Sequence, residues 1–571
     1  MRYSIFLTAV IFGASGTSAQ PLHGSREFTR ADTLRGSNGS DRGWWDVTHY
    51  DVTVKPDFAT RSIQGTTAIT FRAIGFGQRL QIDIQEPLIV TAVELAEAHL
   101  ERAKMIREGN ILWVDLPHAL QPNDREILTI TYHGTPREAK NAPWDGGWIW
   151  KTDAQGTPWM SVACQGLGAS VWYPCKDHQS DEPDSAALHI IVPDTLQAVG
   201  NGRLRNTVKN GDGTTAWNWA VTNPINNYNL VPYIGKYAHF GDVYNGSEGP
   251  LDCDYWVLKE NEAKAREQFN QVPLMLKCFE DWFGPYPFYK DSYKLVESPH
   301  LGMEHQSAVA YGNHFQNGYL GRDLSGSGWG LKWDYIIVHE SGHEWFGNSI
   351  TTTDIADMWV HEGFTDYAET VYTQCQFGDA AGDDYVIGLR KNIQNDKPII
   401  GPRGVNQEGS GDMYYKGANM IHTIRHIINN DSLFKAMLRE MNRRFYHKVT
   451  SSAAVEEFIS DFSRTDFSKV FDQYLRTTQV PVLEWGKKEG LVFARWSNVV
   501  PDFQMPVELT LGGVAKFPRV GDAWRAIGDV PKGGIELQID NNWYASARQA
   551  PKRAIRKIQV RRCIQKSQKV F

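Results

Sequence analysis

Cysteine is scarce in this chain. Six thiols, Cys164, Cys175, Cys253, Cys278, Cys375 and Cys563, serve 571 residues, and none stands in C-x-x-C spacing. That removes thiolate zinc ribbons and dithiol redox motifs, and it leaves disulfides open with a pairing that spacing does not specify. An excess of basic charge is missing too. Lys and Arg number 59 against 66 Asp and Glu, a net charge of -7, which argues against a general nucleic-acid binder. Beyond the first residues, no apolar run reaches the roughly 20 residues that a membrane-spanning helix needs. No self-similarity recurs at a period of about 20–50 residues, which sets aside solenoids and propellers.

What is present is an ordinary soluble composition, 41% hydrophobic and 22% charged, with an unusual 20 Trp. The length is too great for one core and suggests three or four units at roughly 100–200 residues each. The opening "MRYSIFLTAVIFGASGTSAQ" has one positive charge, an apolar stretch from Tyr3 to about Ala14, and small residues Thr17 and Ala19 before Gln20. This pattern is a secretory signal peptide over residues 1–19, so the mature chain is expected in an exported compartment, periplasmic or secreted, with no integral membrane segment after cleavage. No cysteine stands at the cleavage point to take a lipid.

Residues 20–42 are rich in Gly, Ser, Arg and Asp without periodicity and read as a solvated linker. From Trp44 onward short β-rich segments alternate, as in Tyr50, Val52, Val54 and Ile69, Phe71, Ala73, with Gly, Pro, Asn and Asp turns between them. Residues 43–246 are therefore expected to form an antiparallel β-sheet domain. Helical spacing takes over near Pro250, with Met420, Ile424, Ile427 and Ile428 on one face and Val455, Phe458, Ile459 and Phe462 on another. This predicts an α+β domain over 247–479. Alternation returns in "VELTLGG" and "GIELQID", which predicts a small β-sandwich over 480–571. The tail "PKRAIRKIQVRRCIQKSQK", with eight Lys or Arg and no acid, reads as a solvated last strand.

One stretch carries chemistry. "IIVHESGHEWFG" sets His339, Glu340 and His343 in an apolar helical run, closed by Gly347 as a stop signal. Residues four apart share a helix face, so both imidazoles can address one ion with Glu340 beside it, the H-E-x-x-H geometry. A catalytic zinc needs a third protein ligand and keeps one position for water. Glu362, 18 residues after His343 on a second amphipathic segment, meets that need. Asp366 and Glu369 follow as acceptors for the histidine N–H groups.

His339-Glu340-x-x-His343 followed by Glu362 in "WVHEGFTDY" resembles the gluzincin zinc aminopeptidases, the aminopeptidase N and leukotriene hydrolase family. "SPHLGMEHQSAVAYG" looks like that family's G-x-M-E-N strand and "MYYKGANMI" like its Y-x-K-G segment. "ACQGLGASVWYPCKDHQSDEP" is similar to the stretch by which its N-terminal domain approaches the active site. With "WWDVTHYDVTV" near the start, the matches run in the family's order over roughly residues 43–480. The resemblance implies a thermolysin-like catalytic domain, one Zn2+ per chain on His339, His343 and Glu362, and hydrolysis at the free amino terminus of peptides. It assigns Glu340 as general base, Tyr414 rather than its neighbour Tyr415 as the oxyanion donor, Glu304 as the anchor of the substrate ammonium, Gln165 as its assistant, and Gly302 as a site of close backbone approach. Two departures, His305 and His361 where the family has Asn, are expected to retune the substrate pockets. The long helical C-terminal domain of many members is expected to be absent. An endopeptidase with the same zinc chemistry is the competing reading, and Glu304 argues against it; a catalytically inactive peptide-binding protein is a third, opposed by the intact motif. "GRDLSGSGWG" reads as a mobile loop near the cleft.

Overall fold

Tyr50, Val52 and Val54 alternate inward from the strand Trp45–Asp57, and Ile69, Phe71 and Ala73 do so from Ser62–Ala73, so both strands lay one face on the first core. They are the centre of a seven-stranded sheet in a computed structural model that describes residues 27–96, 104–532 and 534–558. The expected signal peptide and Cys563 lie outside the described residues. Every pair in this sheet is antiparallel except one: Trp45–Asp57 runs parallel to Ser185–Pro193, with His49 opposite Ser185. The chain builds two further sheet segments before it returns to that strand, and a connection of this length permits a parallel pairing that a hairpin cannot make.

The expected linker is ordered where it is described. Arg30–Gly36 is a helix opened by a capping box, in which the Thr29 side chain accepts from the Asp32 N–H and the Asp32 carboxylate accepts from Thr29. Arg42 is fully buried and grips both oxygens of Asp83 at 2.6 and 2.7 Å. The polar composition that looked like solvation supplies caps and a buried ion pair instead.

The second region is built on a five-stranded sheet in the order Tyr237–Gly246, Gly249–Leu258, Tyr293–Glu297, Val309–Tyr311, Gly302–Met303. Its first hairpin straddles residue 246, where the domain change was expected. Helices cover this sheet, among them Val272–Phe283, Tyr335–Gly342, Trp359–Phe377 and Tyr415–Ile428. Met420, Ile424 and Ile427 are buried as their spacing predicts, as are Val455, Phe458 and Ile459. A disulfide joins Cys278 on the first of these helices to Cys375 on the third, across 97 residues of sequence. Closing a loop of that size removes denatured-state freedom worth about 4–5 kcal/mol in the chain-entropy treatment.

The last region consists of small sheets: Arg525–Asp529, Leu491–Ser497, Val482–Lys488 and Ser546–Gln549 in one, with shorter pairs around Leu509–Leu511 facing it. Met505, Val507, Leu509 and Trp543 extend the core of the second region into it. The basic tail does not begin as a strand. Ser546–Gln549 is the last strand described, and Lys552–Arg556 turns into a short helix.

Candidate active site

Asp334 starts the helix that carries the histidines. Its carboxylate accepts from the N–H groups of Ile336 and Ile337 and is itself held by Asn313 at 2.8 Å, Tyr311 at 2.7 Å and Gln268 at 2.8 Å. The cap fixes the direction in which His339 leaves the helix. The helix ends at Gly342, with His343 as its C-cap, rather than running on to Gly347. Gly347 has another use: it sits at φ +128, where a Cβ would come within 3.2 Å of His343 Nδ1.

Each imidazole is oriented through Nδ1. His339 Nδ1 lies 2.6 Å from Glu369 Oε1, and the Tyr385 hydroxyl donates to the other Glu369 oxygen at 2.6 Å. His343 Nδ1 donates to the Phe346 carbonyl at 2.9 Å. Both Nε2 atoms thereby face Glu362 Oε2, at 3.6 and 3.3 Å. Glu362 comes from the first turn of Trp359–Phe377, and the donor atoms of His339, His343 and Glu362 lie within 4.8 Å of one another. Glu362 Oε2 is buried without a hydrogen-bond donor. A buried, undonated carboxylate oxygen between two imidazole nitrogens fits a divalent cation, and this two-nitrogen, one-oxygen set is that of a catalytic zinc. Burial works against charge at Glu362, yet the His343 and His339 imidazoles hold its carboxyl below the ordinary range.

Of the two acceptors expected behind the histidines, Glu369 is in place and Asp366 is not: both Asp366 oxygens are buried without a hydrogen-bond partner. It lies three residues before Glu369 on the same helix, and Glu369 already occupies the His339 N–H.

Glu340 lines a cavity of about 130 Å3 together with His339, His343, Glu362, Gly302, Glu304, Gln165 and Tyr414. Burial pushes its carboxyl up to about 7. Gly302 is where the sheet edge passes Glu340, and a Cβ there would fall 2.7 Å from Glu340 Oε1. Beside Glu340 and His343, with donor atoms of the three within 4.8 Å of one another, Glu304 is buried and receives Gln165 Nε2 at 2.6 Å and the Tyr228 hydroxyl at 3.0 Å, both on the same oxygen. Asn348 Nδ2 holds the Glu304 carbonyl at 2.8 Å. Tyr414, at the N-cap of Tyr415–Ile428, lies against His339 with ring centroids 6.1 Å apart. Tyr415 does not reach this cavity; it lines an adjoining one of about 710 Å3 that shares Gly302, His339, Glu340 and Tyr414.

The two departures from the family pattern do not line either cavity. His305 Nδ1 meets the Tyr233 hydroxyl at 2.5 Å, and His361 Nε2 accepts from the Thr352 N–H at 3.0 Å. Burial lowers both, His361 to about 3, so they are neutral supports behind the site. In the glycine-rich loop, Asp323 accepts from Ser325 and Gly328 at 2.9 and 2.6 Å, which shapes it beside the larger cavity.

Sequence reasoning missed Tyr228 and Asn348, which hold Glu304 from distant segments, and Pro143, Trp144, Glu408 and Met413 in the cavity wall. None stands in a spacing pattern with the histidines. A polar "NNYNL" run in the turn-rich stretch after the strand Thr214–Val221 was the one hint for Tyr228.

Residues 47–228 match the Peptidase M1 N-terminal domain and residues 267–474 the Peptidase family M1 domain. Over 457 residues the chain is 21% identical to human endoplasmic reticulum aminopeptidase 1, covering 76% of this chain and 47% of that protein. Against human aminopeptidase B the identity is 22% over 526 residues, 85% of this chain and 73% of the relative. The chain thus spans about half the length of the first of these relatives. A crystal structure of a variant M1 zinc metallopeptidase from Deinococcus radiodurans, bound to a Tyr-Ser-Ala substrate, superposes with a TM-score of 0.66 at 21% identity, covering 77% of this chain and 96% of that one. The two matched domains together take in the β-sheet region and the helices that bring His339, His343 and Glu362 together, so the chain belongs to peptidase family M1.

Proposed function

We propose that this protein is a zinc aminopeptidase that removes the amino-terminal residue of peptides, with one ion held at His339, His343 and Glu362. The observation that carries this reading is the buried Glu304 carboxylate, fixed by Gln165 and Tyr228 in the same cavity as the two histidines and within 4.8 Å of His343 and Glu340 donor atoms. An incoming ammonium loses its water on entering such a site, and a fixed anion replaces it. The small cavity beyond the histidines suits one residue, and the larger one on the other side suits the rest of the peptide. An endopeptidase has no use for this arrangement.

A zinc ion bound there supplies Lewis acidity toward the scissile carbonyl and lowers the pKa of the attacking water. Glu340, poised near 7 by burial, takes the proton from that water and returns one to the leaving amine. The Tyr414 hydroxyl, kept protonated by burial and by the surrounding carboxylates, donates to the oxyanion. Glu304 and Gln165 set the distance from ammonium to carbonyl. Export is read from residues 1–19 and is supported by the Cys278–Cys375 bond, a link that persists in oxidising compartments. Amino-terminal analysis of exported protein is expected to begin at Gln20, and an intact Met1 on soluble cytoplasmic protein would contradict it.

The test compares kcat/KM for matched free and amino-terminally acetylated peptides. Wild-type protein should prefer the free amine strongly, and Glu304→Gln, which keeps the size and removes the charge, should raise KM, lower kcat and lose most of that preference. Equal cleavage of both peptides by wild type, or full preference in the variant, returns the endopeptidase.

A further inference from the structure

Two turns beyond Tyr414, the helix Tyr415–Ile428 carries a second pair of histidines at i, i+4 spacing, His422 and His426, which the active site does not use. Asp383, on the helix Asp379–Leu389, faces them, and the donor atoms of the three lie within 4.8 Å of one another. His422 is fully buried, with Nε2 at 3.7 Å from Asp383 Oδ1 and 2.9 Å from Asn542 Oδ1. The ring of His426 stands 4.5 Å from that of His422, and its Nε2 is buried without a hydrogen-bond partner. The Asp383 carboxylate makes no hydrogen bond among the described residues; His422 is its ion-pair contact, and the Arg425 charge acts on it as well.

An unpartnered buried imidazole nitrogen beside a carboxylate with no donor is costly, and one ion would satisfy both. The site is also prepared for ligation. Burial holds His422 well below its ordinary value and brings His426 to about 4, so both imidazoles keep their lone pairs free at neutral pH. A ligand bond at His422 Nε2 leaves Nδ1–H to donate to the Tyr367 hydroxyl, 3.3 Å away, the outer partner that a ligating histidine uses to fix its ring. Asn542 Oδ1 then turns from hydrogen-bond acceptor to a fourth donor atom, 2.9 Å from His422 Nε2. The nearby cations are already engaged. Arg425 binds Asp431 at 2.8 Å, and Arg390 binds the Asn541 carbonyl at 2.6 Å and the Asn542 carbonyl at 3.3 Å.

We propose that Asp383, His422 and His426 form a second zinc site, separate from the one at His339, His343 and Glu362. Two imidazoles and a carboxylate suit zinc, whereas magnesium and calcium take oxygen. The three residues come from two helices, and Asn542 belongs to the C-terminal β-region, so the ion would tie the Tyr414 helix to that region. His422 lies about 12 Å along the helix axis from Tyr414 at the usual rise. The bound ion is therefore structural, and the chain takes two zinc ions where the active-site motif alone accounts for one.

The test uses the full chain, stripped with a chelator, dialysed against micromolar free zinc and assayed for bound metal, with thermal unfolding followed alongside. Wild type should hold two zinc ions per chain, and the second equivalent should raise Tm. His426→Ala and Asp383→Asn should each hold one, lose the second rise in Tm and keep the ion at His339 and His343; His343→Ala should hold one, and His343→Ala with His426→Ala none. Asp383 is partly exposed, so Asp383→Asn keeps the test decisive if His426→Ala does not fold. Saturation of wild type at one zinc, or two ions retained by both single variants of the second cluster, would overturn the proposal.

Discussion

Gly302→Ala adds one methyl group at the point where sheet and metal helix are closest. Its φ lies outside the left-handed region, so alanine takes the same backbone without strain and the effect is purely steric. The new Cβ would stand 2.7 Å from Glu340 Oε1 and 2.9 and 3.0 Å from two carbons of Ile336, and Cβ contacts under 3.0 Å do not persist. Ile336 is 1% exposed and packed in the core, so it has no room to withdraw. The Glu340 carboxylate faces the cavity, so it is the group that yields, by several tenths of an ångström. A displacement approaching 1 Å at a reacting group costs up to about 10² in rate, so kcat should fall by about 10–10², or about 1.4–2.7 kcal/mol of barrier. Overpacking should cost about 1–3 kcal/mol of stability. None of the three metal donors is touched, so zinc content should be unchanged and KM should move little. The assay is kcat and KM on a free-amine peptide, with metal analysis and thermal unfolding on the same preparation. A kcat within a factor of about two of wild type would refute the reasoning, because Glu340 would then tolerate displacement that proton transfer from a fixed base does not. Loss of zinc would refute it differently, by showing that strain spreads to His339 and His343.

Two further outcomes follow from the same geometry. Tyr414→Phe should lower kcat by roughly 10²–10³ with little change in KM, while Tyr415→Phe, whose side chain lies outside the small cavity, should stay near wild type; the reverse pattern in steady-state kinetics would move the oxyanion donor to Tyr415. Glu369→Gln replaces the carboxylate 2.6 Å from His339 Nδ1 and should weaken zinc binding by about 10–100-fold in competition with a chelator, whereas undiminished affinity would show that the Tyr335 hydroxyl, 3.2 Å away, suffices to orient the ring.

Much of the site was legible in one dimension because its parts repeat with the helix. His339 and His343 are neighbours through the helical period alone, and Glu362 follows after a gap just long enough for a loop and a second helix. The same local rule places His422 beside His426, and the β alternation of Tyr50, Val52 and Val54 needed only the pleat. Glu369 was legible as a candidate, one of two acids on the right face; the choice of Glu369 over Asp366 came from which carboxylate met the His339 N–H once the helices packed.

What only the tertiary structure decided are the contacts whose partners are far apart in the chain. Tyr228 donates to Glu304 across 76 positions of sequence, and no periodicity links them. The parallel pairing of Trp45–Asp57 with Ser185–Pro193 has the same cause, since its register is chosen by two distant hydrophobic faces burying together. Arg42 looked solvated beside Gly and Ser, and it is buried because Asp83, at the end of the strand Gly77–Asp83, offers both oxygens. His305 and His361 looked like pocket residues by position, and burial against Tyr233 and Thr352 makes them neutral supports. Asp383 meets His422 and His426 only because two helices cross there. Local spacing sets which side chains share a face of one element; long-range burial sets which faces meet, and the second cannot be computed from the first.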